Sequence, residues 1–584
     1  MNTNLEQTGL HKNGSRADKA PTRLGSRVWL QRIALGLGFV TVILLFLFPI
    51  IKLMALSFVH KTGTGLGVYL DLLGEARTWK TMESTLIIIS GSTLVAIILG
   101  IGLAWLIAYS NLSHKSWLHL IVMLSFIMPS YVVTLAWTSF TGVQGPIAEF
   151  LHLFSEDLKP WSMYSYGGII FVMGIHHYPL VYLLTVGVLR RIPRELEWAS
   201  RAGGAGRWAT FRTITLPLAI PGIASGGLLA FLASLDNFGI PAFLGIPANI
   251  TVLSTLIYEQ VVGFGPSAFA RSSALAVLLG IVALVGTSIQ WFVQRSYKTS
   301  ETACEDMVPR FQLGKRTGLW TGLVWLFLGV ITFLPLISML MYSLKKAYGL
   351  PFSWNNTTFD HFRFVLWENA KAYHAIGNSF TLALVTLIVC MILGTAFAYY
   401  RLQRSTLLVK GMDLVISLPY ALPGIVFGLA MILTWMEPIP GWNPGIYGSV
   451  AILFIAYMIR FMTLQVRSSM TAFQQIDASA EEAARISGAG WSSVWRKILL
   501  PLTLPGILAG ALLVFLSALT ELTVSSLLWS SGSETIGVVI FNFEQAGSTN
   551  YSTALSCVIV ALIMILMILL QAVKWTAQRK GGAL

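Results

Sequence analysis

Charged residues are scarce in this sequence: Asp, Glu, Lys and Arg make up 11% of its 584 residues, whereas about 25% is usual in soluble domains. So few charges cannot cover the surface of a soluble protein of this length. Hydrophobic residues, by contrast, make up 55%. Lipid must therefore be the solvent for much of the chain, because long apolar segments are buried stably in hydrocarbon.

Cysteines and catalytic motifs are also missing or few. The three cysteines, Cys304, Cys390 and Cys557, form neither a disulfide framework nor a CxxC metal pair. The string at 314–316 contains Gly-Lys but lacks the upstream glycine and the following hydroxyl residue of a phosphate-binding loop. No zinc-binding His/Glu pattern and no nucleophile elbow is present either. We therefore expect no catalytic site, metal site or cofactor on this chain.

Apolar runs of about 20 residues recur along the sequence, each long enough to cross about 30 Å of hydrocarbon as a helix. The run at 33–50 is predicted to be a retained span, because no small-residue cleavage site follows it. The runs near 125 and 422 are interrupted by prolines, which spans tolerate where neighbouring helices bond the freed carbonyls. We predict twelve spans, centred near residues 45, 94, 125, 171, 229, 279, 330, 384, 422, 453, 513 and 560.

The net charge is +14. The distribution of the basic residues indicates the membrane topology and does not indicate a nucleic-acid partner. Lys and Arg cluster before the first span, after the fourth, after the sixth and at the C-terminal end, while 238–270, 436–446 and 531–551 contain none. Cytoplasmic loops carry the excess of basic residues. Both termini are therefore predicted to be cytoplasmic, in agreement with an even number of spans.

Two polar loops between the apolar runs repeat one pattern 284 residues apart. The first reads EWASRAGGA from Glu197 and ITLPLAIPG from Ile214, and the second reads EEAARISGA from Glu481 and ILLPLTLPG from Ile498. Similar residues continue at the same spacing into the following apolar run. The chain therefore contains two halves of one architecture, in the same orientation if each half has six spans.

Each loop has the composition of a short helix, a glycine turn and a second short helix. The segment 480–486 is rich in helix formers, and Gly488 allows a positive φ angle. Apolar residues at 491, 494, 495 and 498 recur at helical spacing and should anchor the second helix on the membrane domain. Pro501 fits the first turn of the next span, where a missing N–H costs little.

This pair of loops resembles the EAA motif of binding-protein-dependent ABC importer permeases, the loop that docks onto the ATP-hydrolysing subunit. Trp198 stands where the second copy has Glu482, so we expect two unequal docking surfaces. The residues to which the resemblance assigns coupling to the ATPase are Glu197, Ala199, Arg201, Gly204, Ala205 and Pro217 in the first loop and Glu481, Glu482, Ala483, Ala484, Arg485, Gly488, Ala489 and Pro501 in the second.

The resemblance implies an all-α polytopic membrane protein of about twelve helices, in two tandem six-helix halves related by a pseudo-twofold axis. It also implies two ABC ATPase subunits that bind ATP and Mg²⁺, an extracytoplasmic solute-binding protein and a bacterial inner membrane. The predicted divisions are a cytoplasmic tail at 1–30, a first half at 31–296 with its EAA loop at 197–217, a linker at 297–316, a second half at 317–576 with its EAA loop at 481–501, and a cytoplasmic tail at 577–584.

Polar residues inside spans are candidates for a translocation path, because burying them in lipid is expensive. They are Asp236 and Asn237 in the first half, Thr520 and Glu521 at the equivalent positions of the second, and His176 with its counterpart Arg460. Asp236 and Glu521, paired across the pseudo-twofold axis, either line the outer part of the path, are satisfied by neighbouring helices or lie in the outer interface. The pair at 176–177 allows an iron-ligand interpretation, but we favour hydrogen bonding between helices as the explanation for two histidines.

The fused arrangement resembles the ferric-iron permeases of this importer class. The strings DNFGIP from Asp236 and TVLSTLIY from Thr251 are similar to the first half of those permeases, and TEL from Thr520 to the second. The same class also serves thiamine, phosphonate, polyamines and sulfate, which are the alternative cargoes. The alternative class is a secondary transporter with twelve spans in two parallel halves, which leaves the duplicated loops unexplained.

The weaker first copy leads to a testable difference between the loops. We expect Gly488→Trp to reduce ATPase retention and transport more severely than Gly204→Trp, because the second copy matches the motif more fully. Co-purification of ATPase subunits with each variant, together with solute uptake, measures this difference. Equal retention and equal transport in the two variants would contradict unequal docking.

Overall fold

The computed structural model describes residues 36–581, except 61–62, 264–266, 296–305, 348–349, 351 and 438–444. The predicted N-terminal tail, Cys304 and the first part of the predicted linker lie outside the described residues. Within the described part the chain is almost entirely helical, and its one sheet is an antiparallel hairpin of β1 (Val59–His60) and β2 (Gly63–Thr64).

The first half contains six long or bent apolar elements joined by shorter helices. A π-helical turn, Pro241–Gly245, follows the fifth of these elements. The helices are α1 (Gly36–Leu56), α2 (Gly67–Gly74), α3 (Ala76–Tyr109), α4 (Lys115–Ile127), α5 (Ser130–Thr141), α6 (Pro146–His152), α7 (Tyr166–Arg191), α8 (Arg194–Ala202), α9 (Arg207–Asp236), α10 (Leu253–Val262) and α11 (Ala268–Arg295).

The second half repeats this order. A 3-10 turn, Trp354–Asn356, and a π-helical turn, Phe364–Glu368, lie on either side of its first short helix. The helices are α12 (Gly314–Ser343), α13 (Asp360–Arg363), α14 (Ala370–Gln403), α15 (Leu407–Ala421), α16 (Gly424–Trp435), α17 (Val450–Gln474), α18 (Ala478–Ile486), α19 (Trp491–Leu519), α20 (Ser525–Leu528), α21 (Ile536–Gln545) and α22 (Thr549–Gly581).

Ten of the described helices are long and apolar enough to cross a membrane, and two bent helix pairs bring the number to twelve if each pair counts as one span. The bent pairs are the two runs in which the sequence places prolines. The first bends by 103° between α4 and α5, and the second by 110° between α15 and α16. Pro129 and Pro423 lie at the two breaks, where a missing N–H and a fixed φ angle end the preceding helix. The twelve-span architecture is confirmed in this form, with two interrupted spans.

Small residues bring equivalent helices into contact in both halves. A Cβ atom added at Gly226 of α9 would lie 2.8 Å from the Cα atom of Val181 in α7. At the equivalent Gly510 of α19, it would lie 2.6 Å from the Cβ atom of Ser468 in α17. Glycine allows such close backbone approach between membrane helices, where packing replaces the hydrophobic effect as the driving force.

The two halves share a buried core. Phe541 of α21 contacts Phe238 and Phe243 of the first half, with ring centroids 5.9 and 5.5 Å apart. Ile425 and Phe427 of α16 are also fully buried in this cluster. The halves therefore pack around a common centre, where the polar residues of the candidate path are found.

Candidate coupling loops and intramembrane site

Both repeated loops contain a nine-residue helix followed by a glycine turn, α8 in the first and α18 in the second. Gly204 has a φ angle of +90° and Gly488 one of +80°. This left-handed conformation is strained for residues with a Cβ atom, and no neighbour lies within 4 Å of where that atom would be. The backbone conformation, and not a lack of space, therefore requires glycine at these two turns.

The second short helix of each loop is continuous with the next span, so the prediction of a separate helix is wrong. In α9 a π-helical turn at Phe211–Thr215 precedes Pro217, and in α19 one at Trp495–Leu499 precedes Pro501. A proline ring clashes with the carbonyl of the fourth preceding residue in a regular α-helix, and a π-helical turn accommodates the change. One uninterrupted helix therefore connects each loop to the interior of the membrane domain.

The second loop is stabilised by an ion pair within its own helix and by side chains of α14. Glu481 pairs with Arg485, one helical turn further along α18. It also accepts hydrogen bonds from the Tyr399 hydroxyl at 3.3 Å and from Gln403 Nε2 at 3.4 Å. At the start of the helix, the Ser479 N–H donates to the Asp477 carboxylate at 3.0 Å. That bond holds the pKa of the Asp477 carboxyl below its usual value.

The first loop uses a residue from outside the repeat. The equivalent carboxylate, Glu197 Oε1, lies 2.9 Å from Arg310 Nη1 and accepts a hydrogen bond from Thr215 Oγ1 at 2.6 Å. Both side chains of the ion pair are buried, with 4% of Glu197 and 7% of Arg310 exposed. The Arg310 guanidinium also stacks on the Tyr109 ring, 4.3 Å from its centroid, and donates to the Tyr109 hydroxyl.

Arg310 belongs to the predicted linker, and the linker packs on the first loop. The Asp306 carboxylate lies 3.2 Å from Arg194 Nε, and the Asp306 N–H donates to the Arg190 carbonyl. Phe311 contacts Trp105, with ring centroids 4.8 Å apart. The role of Arg310 could not be predicted from the repeat, because its segment occurs once in the chain and has no counterpart in the other half.

The outward faces of the two loops differ in chemistry. Trp198 is exposed and lies beneath the Arg194 guanidinium at 5.5 Å, whereas the equivalent Glu482 is an exposed carboxylate. The alanines of the motif are exposed or half-buried: Ala199 and Ala205 in the first loop and Ala483, Ala484 and Ala489 in the second. Unequal docking of ATPase subunits remains a prediction.

The candidate path residues lie around one cavity of about 370 Å³ between the halves. Arg460 of α17 donates from Nη2 to both carboxylate oxygens of Asp236, at 3.0 and 2.8 Å. Asp236 also accepts a hydrogen bond from the Gly424 N–H, and Arg460 Nη1 donates to the Leu422 carbonyl at 3.4 Å. Arg460 is buried, whereas 38% of the Asp236 side chain is exposed. An ion pair between the halves therefore binds the backbone groups on both sides of the Pro423 break.

Asp236 and Glu521 do not pair with each other. The Glu521 carboxylate accepts hydrogen bonds from the N–H groups of Val524 and Ser525, at 2.7 and 2.9 Å. Asn237 does the same at the equivalent turn, where its Oδ1 accepts from the Ile240 N–H at 3.0 Å. These two residues thus satisfy the backbone where the fifth span of each half ends. Thr520 lines the cavity beside them.

The two adjacent histidines have different surroundings. His177 Nδ1 is 3.0 Å from Ser234 Oγ, a contact between α7 and α9. His176 lines the cavity between the halves and also a small adjoining void with Ser125 and Thr332. In the described part of the chain, no three His, Cys, Asp or Glu side chains come together in a group that could hold a metal ion.

Comparison with known proteins identifies the architecture. The family model for binding-protein-dependent transport system inner membrane components matches the chain twice, at 96–299 and 390–575, which together cover more than half of it. The chain belongs to this family. It is a permease with two fused halves, and the family match decides against a secondary transporter.

Similar permeases include two with ferric transport in their names. The ferric transport system permease protein FbpB of Actinobacillus pleuropneumoniae is 23% identical over 84% of this chain and 71% of its own length. The Fe(3+)-transport system permease protein FbpB 2 of Haemophilus influenzae is 24% identical over 90% and 94%. The molybdenum transport system permease protein ModB of Escherichia coli is 30% identical over 35% of this chain and 90% of its own length.

The buried ion pair of the first loop predicts a difference between two arginine substitutions. Arg310→Leu should destabilise the permease by about 3–5 kcal/mol, because it leaves Glu197 charged and buried without a partner. Arg485→Leu should cost only about 0.5 kcal/mol, since it removes an exposed pair within one helix. Thermal unfolding of the purified protein in detergent measures both effects.

The double variant Glu197→Gln/Arg310→Leu is the control for this prediction. It removes the buried charge together with its partner and should recover most of the lost stability. A double variant as unstable as Arg310→Leu alone would show that the charge of Glu197 is not the cause.

Proposed function

We propose that this permease is the translocation subunit of an ATP-driven importer for ferric iron delivered by an extracytoplasmic binding protein. The proposal includes two separate ATPase subunits that hold ATP and Mg²⁺, a location in the bacterial inner membrane and coupling loops on the cytoplasmic side. Ferric iron is favoured because both relatives named for ferric transport align across the two halves. The molybdenum relative aligns with about a third of the chain.

The proposed mechanism depends on the continuity of the helices α9 and α19. Each begins in a coupling loop, and α9 ends at Asp236 beside the cavity. A displacement of the loop by closing ATPase subunits is transmitted along a stiff helix of 30 residues to the place where the halves meet. Shifting a two-state equilibrium from 1:99 to 99:1 needs about 5.5 kcal/mol of differential binding, which ATP and its subunits together supply.

The ion pair between Asp236 and Arg460 controls the polarity of the proposed path. Ferric iron is a hard cation that carboxylate oxygens bind well, so an unpaired carboxylate inside the path would retain it. Arg460 neutralises Asp236 in this conformation, so the cavity binds a cation weakly. Separation of the halves would free Asp236 from Arg460 only while the path is open.

An oxyanion is the second candidate cargo. Arg460, His176 and His177 all line the cavity, and a guanidinium recognises oxyanions by paired hydrogen bonds. The molybdenum transport relative is consistent with a cargo of this chemistry, as is the sulfate alternative. Direct uptake measurements distinguish the two classes.

Uptake of radioactive ferric iron by iron-starved cells tests the cargo. A deletion strain that lacks redundant iron systems should lose uptake, and the wild-type permease should restore it while Gly488→Trp does not. Molybdate and sulfate uptake are measured in the same strains. Iron uptake that is unchanged in the deletion strain, with a loss of molybdate or sulfate uptake, would assign the permease to an oxyanion.

Substitution of the ion pair tests the path. Arg460→Gln should lower both thermal stability and uptake, because Asp236 loses its buried partner. The double variant Asp236→Asn/Arg460→Gln should recover stability but not uptake. Arg404→Gln, at an exposed position outside both coupling loops, is the control for loss of an arginine. Recovery of uptake together with stability would show that the pair has a structural role only.

A further inference from the structure

A second cavity, of about 600 Å³, lies beside the first coupling loop and away from the proposed path. Its walls are mainly apolar and come from α3, α7 and α9, with Ile101, Leu189 and Ile223 among them. Arg310 and Phe311 of the linker also contribute to its lining. The cavity is open beside α3, because Trp105 is 36% exposed and no atom lies within 4 Å of a Cβ position at Gly102.

Two arginines of the loop, Arg201 and Arg207, line the same cavity. Both are exposed, and among the described residues neither guanidinium has an acidic partner. The reason is visible in the repeat. Arg485, the counterpart of Arg201, pairs with Glu481, whereas the carboxylate of Glu197 is already bound by Arg310. The linker arginine thus leaves Arg201 available to a ligand.

At the equivalent place in the described part of the second half, aromatic rings contact one another. Tyr399 contacts Trp495 and Phe473, with ring centroids 4.8 and 5.5 Å apart, and Trp491 contacts Trp495 at 5.8 Å. Trp491 stands where the first half has Arg207, and Phe473 where it has Leu189. These two lining residues of the cavity are therefore not repeated in the second half.

We propose that this cavity binds an anionic phospholipid of the cytoplasmic leaflet. The phosphate lies between Arg201 and Arg207, and an acyl chain follows the apolar wall past Gly102 and Ile101. The apolar lining and the opening beside α3 favour a lipid over a soluble anion. Basic pockets between membrane helices on the cytoplasmic side bind anionic headgroups, and this inference rests on the proposed function for the orientation of the loops.

Native mass spectrometry of the purified full-length permease tests the proposal with phosphatidylglycerol and phosphatidylcholine as probes. The wild type should retain phosphatidylglycerol in preference to phosphatidylcholine. Arg201→Gln/Arg207→Gln should weaken phosphatidylglycerol binding at least about tenfold, since each arginine near an anionic surface contributes roughly a fivefold preference. Arg212→Gln, in the same loop but outside the cavity lining, is the matched control and should bind like the wild type.

A second variant keeps both arginines and blocks the apolar wall. Gly102→Phe should reduce phosphatidylglycerol binding, because its ring occupies the course of the acyl chain. Equal binding of the two lipids by the wild type, or unchanged binding by the double arginine variant or by Gly102→Phe, would overturn the proposal. Inorganic phosphate that protects the permease against thermal unfolding as well as phosphatidylglycerol does would also overturn it. So would displacement of the lipid by added ATPase subunits, because that result would assign the arginines to the subunit contact.

These measurements use no transport readout. A permease that binds phosphatidylglycerol but carries no iron would overturn the proposed cargo and leave the lipid site in place. Iron uptake without selective lipid binding would overturn the lipid site and leave the proposed cargo in place.

Discussion

A backbone inside hydrocarbon must find all its hydrogen-bond partners within the protein, and the interrupted span at Pro423 meets this requirement with side chains from both halves. At the Pro423 break, Arg460 donates to the Leu422 carbonyl and Asp236 accepts from the Gly424 N–H. The acceptor comes from the other half of the chain. The ion pair beside the cavity therefore completes the broken span, and the backbone of the second half is satisfied there only with a side chain of the first.

The repeat predicted what depends on local composition. The helix formers at 480–486 lie within α18, Gly488 has a positive φ angle, and the runs near 125 and 422 are interrupted at prolines, because helix propensity and proline geometry act over a few residues. The repeat did not predict the partners of Glu197 or Asp236. Arg310 lies in a segment without a repeat, and the pairing of Asp236 with Arg460 joins residues 224 positions apart. Tertiary contacts of that kind leave no periodic pattern in a single sequence.

Equivalent positions of the two halves have diverged where they meet different neighbours. The counterpart of the Arg460 and Asp236 pair is His176 with Thr520, which cannot form an ion pair of that strength. The motif glutamates likewise differ: one is buried with an arginine from the linker, the other lies near the surface with an arginine of its own helix. A buried pair depends strictly on both partners, whereas an exposed one contributes little. The first loop is thus the more constrained of the two.

The position of Arg310 in the chain has a consequence for a permease made of two separate polypeptides. The segment from Asp306 to Phe311 completes the first half, yet it directly precedes the first span of the second half. If the chain were two polypeptides separated ahead of Asp306, the second would begin with a peptide that fits a groove on the first. That peptide would favour a heterodimer over two homodimers. In such a divided permease, this peptide would act as an assembly signal in place of the covalent tether.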